Sequence, residues 1–404
     1  MDNKFPPHFF WGASTSSHQV EGHNTNDWTE WENSEKRLNF LKSQGLVEEF
    51  GLENFLSGEA ANHYHLYKED FKLAKELGHN ATRISLEWSR IEPEEGKFDE
   101  KELQRYKEVI LHLRELGIEP FVTLWHWTIP IWLKNKGGWA NKRVIEYFAR
   151  YTEMIMKTFG DHVAFWLTLN EPEIYTANSY LTGIWPPQKK NPWHYFWVLR
   201  HLIQAHRKAY RIIKQLHPTA QVGIAKNNIH FEPYKNKLIN KLVSGISHWW
   251  WNDYFLKAID VHQDFIGLNY YFRNIMDFTR VKNENKIVSD LGWELHPEGI
   301  YHVLMDLKKY GKPVYITENG LADSDDSERT WFIEQTVWQM RRALADGVDL
   351  RGYLHWSLLD NFEWHEGFRA RFGLVEVDFK TQERKVRRSA EKYREVIQKN
   401  GFVK

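Results

Sequence analysis

No cysteine occurs in the 404 residues. Disulfides, thiol nucleophiles and thiolate metal sites are therefore excluded. Neither sign of charge is in excess, since Lys plus Arg and Asp plus Glu each number 54. A dedicated binder of nucleic acid or of an anionic membrane carries a basic surplus, so neither partner is expected. No stretch approaches the ~20 apolar residues of a membrane span. The opening MDNKFPPHFFWGAS has no basic segment followed by a long apolar one, and a cytoplasmic protein is expected. A Gly-rich phosphate loop is missing too: WGAST at 11–15 lacks the G-x-G-x-x-G spacing that an open doubly wound sheet would use. No Ser/Gly/Pro-rich linker or low-complexity tract breaks the chain, so residues 1–404 read as a single domain.

Tryptophan, by contrast, is abundant, with 20 residues. Indoles pack large cores, and their flat faces also suit the apolar faces of sugar rings. Apolar strands alternate with amphipathic helical patterns along the whole chain. Strands are expected near 9–14, 81–88, 119–127, 164–172, 221–228, 264–271, 313–320 and 350–360. Helices are expected between them, two closing on Gly78 and Gly117, and a last one starting near Arg384. Eight strand–helix units point to an α/β fold, the closed parallel (β/α)8 or TIM barrel.

In such a barrel the chemistry sits at the C-terminal ends of the strands. The stretch AFWLTLNEPE, 164–173, ends an apolar strand on Asn170, Glu171 and Pro172, and PVYITENG, 313–320, ends one on Glu318. A lone buried carboxylate is costly, so two in equivalent places need a reason. Gln19 and Glu21 follow the first strand, and Arg83 and Glu87 belong to the second. His126 and Trp127 end the third, Asn269 and Tyr271 the sixth, and Trp356 the eighth. Glu363 and Trp364 lie just beyond it. Singly, these residues read as caps, core histidines or structural ion pairs. Together they hold two carboxyls, several amide and imidazole partners for hydroxyls, and indole platforms, which is the equipment for cleaving a glycosidic bond. The histidines of HYH at 63–65 do not share a helix face, so no metal site is expected there. RKVRR at 384–388 reads as a solvated face of the last helix. Of Trp249, Trp250 and Trp251, one is expected in the core and one near the barrel mouth.

The motifs FFWGASTSSHQVEG, TRISLEWSRIEP, TLWHWTIPIWL, TLNEPE, FIGLNYY, YITENGLAD and HWSLLDNFEWHEGFRARFGLVEVDF span nearly the whole chain. With them the sequence resembles the family 1 glycoside hydrolases, the β-glucosidase and β-galactosidase group. The resemblance implies a retaining double displacement on terminal β-D-glucosides or β-D-galactosides, with no cofactor and no metal. Its partner would be a small β-glycoside or short oligosaccharide. Carried over, Glu171 is the acid/base and Glu318 the nucleophile. Asn170 would hold the 2-hydroxyl, Gln19 and His126 the 3- and 4-hydroxyls, and Glu363 and Trp364 the 4- and 6-hydroxyls. Trp356 would form the floor, Trp127, Tyr271 and Phe372 would line the sugar, and Arg83 and Asn269 would support the nucleophile. Arg83 should lower the pKa of Glu318, while the surroundings of Glu171 should raise its own.

Glu363 stands where 6-phosphosugar members carry serine, so unphosphorylated sugars are expected. Departures from the pattern are Thr128, where Asp is common, and segments after KNNIHFEP and YITENGLAD that look trimmed. These imply shortened βα loops, a more open site and weaker or broader activity, with water favoured over a sugar acceptor. Transglycosylation at the same site, or a sugar-binding barrel without catalysis, are the alternative readings.

Overall fold

A computed structural model describes residues 4–402. Eight strands close into a barrel: β1 (Phe10–Ser14), β2 (Ala81–Ser85), β3 (Glu119–Trp125), β4 (Phe165–Asn170), β5 (Gln221–Asn227), β6 (Ile266–Asn269), β7 (Val314–Glu318) and β8 (Leu350–Trp356). Each strand lies beside its sequence neighbours, all parallel, and β1 closes against β8 with Phe10 opposite Gly352 and Ser14 opposite Trp356. The principal helix of each crossover is α1 (His63–Glu76), α2 (Glu100–Glu115), α3 (Val144–Phe159), α4 (Pro192–Leu216), α5 (Leu238–His248), α6 (Gly299–Leu307), α7 (Arg329–Ala345) and α8 (Arg388–Lys399).

Local chemistry fixes these boundaries. Asp99 caps α2 by accepting from the amides of Lys101 and Glu102. Asn191 does the same for α4, with Pro192 in the first turn, where its missing N–H costs nothing. The strands are apolar because both faces are covered. Inside, Phe10, Phe121, Phe165, Phe265 and Tyr315 plug the N-terminal end, with Phe121 and Phe165 stacked at 4.4 Å. Gly12 is required where β1 meets β2, since a Cβ there would lie 1.8 Å from the Ala81 carbonyl oxygen. The plug leaves the opposite end of the barrel for polar side chains.

Three expectations are corrected. The second strand stops at Ser85 rather than running to 88, and Trp88–Ile91 is a helical turn. Glu87 therefore lies beyond the strand, where its buried carboxylate accepts from Ser17, Ser89 and Thr128. The last helix begins at Arg388, and Arg384–Val386 is a strand pairing with Val375–Val377. RKVRR is thus no solvated helix face. Arg384 pairs with buried Asp70 at 2.9 Å and Arg387 with buried Asp360 at 2.8 Å, because a buried carboxylate needs a cation. His63 of HYH also serves Asp70, through Nδ1 at 2.7 Å. Trp249 is exposed, Trp250 packs against the core, and the Trp251 indole reaches Asn227 at the end of β5. No helix among the described residues is long and apolar enough to cross a membrane.

Candidate active site

The C-terminal strand ends surround a cavity of about 140 Å³. β4 stops abruptly. Glu171 adopts a left-handed backbone (φ 41°, ψ 62°), its N–H donates to the Ala225 carbonyl at 2.8 Å, and Pro172 opens a helical turn. The carboxyl of Glu171 is thereby turned into the cavity. Glu318, the last residue of β7, lines the same cavity.

The two carboxyls meet different partners. Glu318 Oε1 accepts from the guanidinium of Arg83, and Oε2 accepts from the Tyr271 hydroxyl at 3.0 Å. Glu171 Oε1 accepts only amide donors, from Asn269 at 2.8 Å and Asn227 at 3.3 Å. A buried network joins them. Arg83 also donates to Thr123 at 2.9 Å and to Asn170 Oδ1 at 2.7 Å, and Asn269 reaches that same oxygen at 3.3 Å. Thr317 donates to Asn269 Oδ1 at 2.7 Å, which orients its amide nitrogen towards Glu171.

These surroundings set the protonation states. Burial, then the charge of Glu318, pushes the Glu171 carboxyl up to about 8. Glu363 is pushed up to about 8 for the same two reasons, in the same order. Burial raises Glu318 as well and outweighs the lowering by Arg83, so the net lowering expected for Glu318 is not found. The charge of Glu318 contributes to the rise at both neighbours, so the three carboxyls do not titrate independently. Burial, followed by the charge of Arg83, drives His126 well below its usual range, so its ring is neutral.

Around this pair, Trp356, Trp364, Trp127 and Phe372 line the cavity, together with His126 and Glu363. His126 lies nearly parallel to Trp364, with ring centres 5.8 Å apart. Trp127 donates its indole N–H to the Asn170 carbonyl at 2.9 Å, which fixes one wall. Gln19, Asn170, Asn269 and Arg83 sit directly behind, fully buried. Gln19 Nε2 donates to Glu363 at 3.1 Å and to Asn361 at 2.9 Å. Gln19 Oε1 and His126 Nδ1 are buried without a hydrogen-bond partner among the described residues.

Glu21 and Glu87 do not join this group. Glu21 is held by Arg90 and Arg105 at 3.1 Å each, and Tyr106 donates to it as well. Sequence reasoning missed Asn227, although it ends β5 as Asn170 ends β4, so the same strand-end rule would have found it. It also missed Trp185 and Trp293, which reach the cavity from loops that carry no periodic pattern. Among the described residues, His230, Glu232 and His296 bring ligand-type atoms within 4.8 Å of one another, but none of them lines the cavity.

A carbohydrate-processing (β/α)8 barrel is the class that this fold and pocket define. The family model for glycosyl hydrolase family 1 matches residues 1–260 and 252–402, and the chain belongs to that family. It is 35% identical to a 1,4-beta-D-glucan glucohydrolase of Thermotoga neapolitana, covering 99% of each chain. That alignment runs over 453 positions against a chain of 404, so the relative carries segments that this chain lacks. A beta-galactosidase of Pyrococcus woesei is 32% identical, with 99% of this chain and 98% of the relative covered. A beta-glucosidase of Thermotoga maritima, solved in complex with glucoimidazole, superposes with a TM-score of 0.90 at 32% identity, covering 99% of this chain and 100% of that one. The chain is accordingly a β-glucosidase-like glycoside hydrolase.

Proposed function

We propose that the protein is a retaining β-glycosidase acting on terminal non-reducing β-D-glucosides and β-D-galactosides. Glu318 is the nucleophile and Glu171 the acid/base. The observation that carries the reading is the unequal surroundings of two buried carboxyls on one cavity. Glu318 has a cation and a hydroxyl to hold an anion, while Glu171 has only amides and a charged neighbour to keep it protonated.

In the first step Glu318 attacks the anomeric carbon as the glycosidic C–O bond breaks, and the proton of Glu171 goes to the leaving oxygen. The sugar is then esterified to Glu318, whose charge is gone. The pKa of Glu171 falls, and it takes a proton from water as the water oxygen attacks the anomeric carbon. Tyr271 and Arg83 keep the Glu318 carboxylate aimed. The unpartnered Gln19 Oε1 and His126 Nδ1 supply an acceptor and a donor for sugar hydroxyls, and Asn170, fixed by Arg83, serves the 2-hydroxyl. Glu363 and Trp364 read the 4- and 6-hydroxyls, and Trp356 forms the floor. The names of the relatives, a glucohydrolase and a galactosidase, favour a pocket that takes both epimers.

Kinetics on a p-nitrophenyl β-glycoside test this. Glu318→Ala should lower kcat by ~10³-fold or more, as removal of an essential nucleophile does. Added azide should restore turnover and release a glycosyl azide of inverted configuration. Equal rates for the variant and the parent sink the assignment. The pH–rate profile should be bell-shaped with its basic limb near 8, and Glu171→Gln should abolish that limb.

A further inference from the structure

Helix α5 is inside out. Its buried members are Asn240 and Ser244, whereas Leu238, Leu242 and Ile246, spaced i, i+4, i+8, form an outward stripe. Leu238 is 86% exposed, Leu242 59% and Ile246 57%. The inward face is anchored by polar bonds. Asn240 donates to the Tyr234 carbonyl at 2.8 Å and accepts from the Phe278 amide at 2.9 Å. A helix of an ordinary water-soluble surface has the reverse pattern.

The stripe does not end with α5. Trp249, itself exposed, follows it and lies 6.1 Å, ring centre to ring centre, from Trp250. Trp250 contacts Phe196 at 5.4 Å and donates to the Tyr195 hydroxyl at 3.0 Å. Phe196, Trp193 and Trp197 are exposed on the first turns of α4, Trp193 by 75%. The apolar face therefore runs unbroken from one helix to the other. Contiguous exposed apolar surface of this kind marks an interaction site rather than scatter.

Its charge selects the occupant. Residues 181–200 and 234–249 contain Lys189, Lys190, Arg200, Lys235, Lys237 and Lys241 and not one Asp or Glu. All six cations are exposed. A second copy docking through the same patch would oppose these cations to their own equivalents, since a two-fold contact pairs each patch with itself. Anionic headgroups would neutralise them instead, while tryptophan, leucine and isoleucine enter the boundary between headgroups and acyl chains. We propose that the face built by α5 and the start of α4 docks this protein, without crossing, on an anionic lipid surface. The balanced charge of the whole chain hides this, because the surplus is local.

Flotation with unilamellar vesicles tests the proposal. Wild-type protein should float with phosphatidylcholine mixed with phosphatidylglycerol, and much less with phosphatidylcholine alone. Added salt should release it. The Leu242→Glu/Ile246→Glu double variant should remain in solution, with an unchanged thermal unfolding midpoint because both positions are exposed. Trp193→Ser, on the other helix, should weaken binding as well. Each of Lys237→Gln and Lys241→Gln should cost about fivefold in vesicle affinity. Wild type that stays in solution with both vesicle types overturns the proposal, as does a double variant that floats as well as wild type. A wild-type dimer in sedimentation velocity that the double variant abolishes, with no vesicle binding, assigns the face to a second copy and overturns it too.

Discussion

A single guanidinium carries much of the electrostatic design. Arg83 is fully buried and donates to Glu318, Asn170 and Thr123. It partly offsets the burial that raises the Glu318 carboxyl. The sign of its removal follows. Without the cation the carboxyl rises further, and a higher pH is needed before it ionises. Arg83→Met should therefore move the acidic limb of the kcat/KM profile to higher pH while lowering the maximum. Because Arg83 also lowers the Glu171 carboxyl, though less than its amide partners do, the basic limb should rise by less. An acidic limb that does not move sinks this account of Glu318. Residue types at strand ends were legible in the sequence, and so was the raised pKa of Glu171. The net direction for Glu318 was not, because the balance between burial and a neighbouring cation depends on how completely water is excluded.

Among the elements, the strands were the most legible. Continuous apolar runs bounded by Gly, Pro or Asn mark buried parallel strands, and all eight lie where the pattern puts them, to within a few residues. The failures share one cause. Glu87, Arg384 and Arg387 read as surface or strand-end polarity, yet their charged groups are buried among partners that include residues far away in sequence. Arg387 donates to both oxygens of Asp360, at 2.8 and 3.0 Å, and Asp360 in turn accepts from the Gly373 amide at 2.9 Å. Removing the cation leaves a fully buried carboxylate with weaker support. Arg387→Met should destabilise the fold by about 3–5 kcal/mol in denaturant unfolding, against well under 1 kcal/mol for an exposed pair. A loss below ~1 kcal/mol would show that Arg371, 3.4 Å from Asp360, takes over the pairing.

The whole molecule is closed by its two ends. The Tyr393 hydroxyl of α8 accepts from the Gly12 amide at 3.1 Å and donates to the Gly12 carbonyl at 3.0 Å. Asn400 accepts from the Trp11 indole at 2.9 Å and donates to the Phe5 carbonyl at 2.8 Å. β1 is short, and it is held between β2, β8 and this last helix. Tyr393→Phe strands a buried amide and carbonyl, so it should cost about 1–3 kcal/mol in chemical unfolding although it lies far from the cavity. An unfolding curve superimposable on wild type would show that closure does not depend on this contact.

By itself the sequence determined the barrel, its eight strands and the residue types gathered at one end, because apolar periodicity and strand termination are local properties of the chain. Tertiary structure alone decided that Asn227 holds Glu171, that Glu21 and Glu87 turn away from the cavity, and that the apolar stripe of α5 faces outward. Those outcomes depend on which partners meet across the fold and on how much water remains between them, neither of which is written in the spacing of residues.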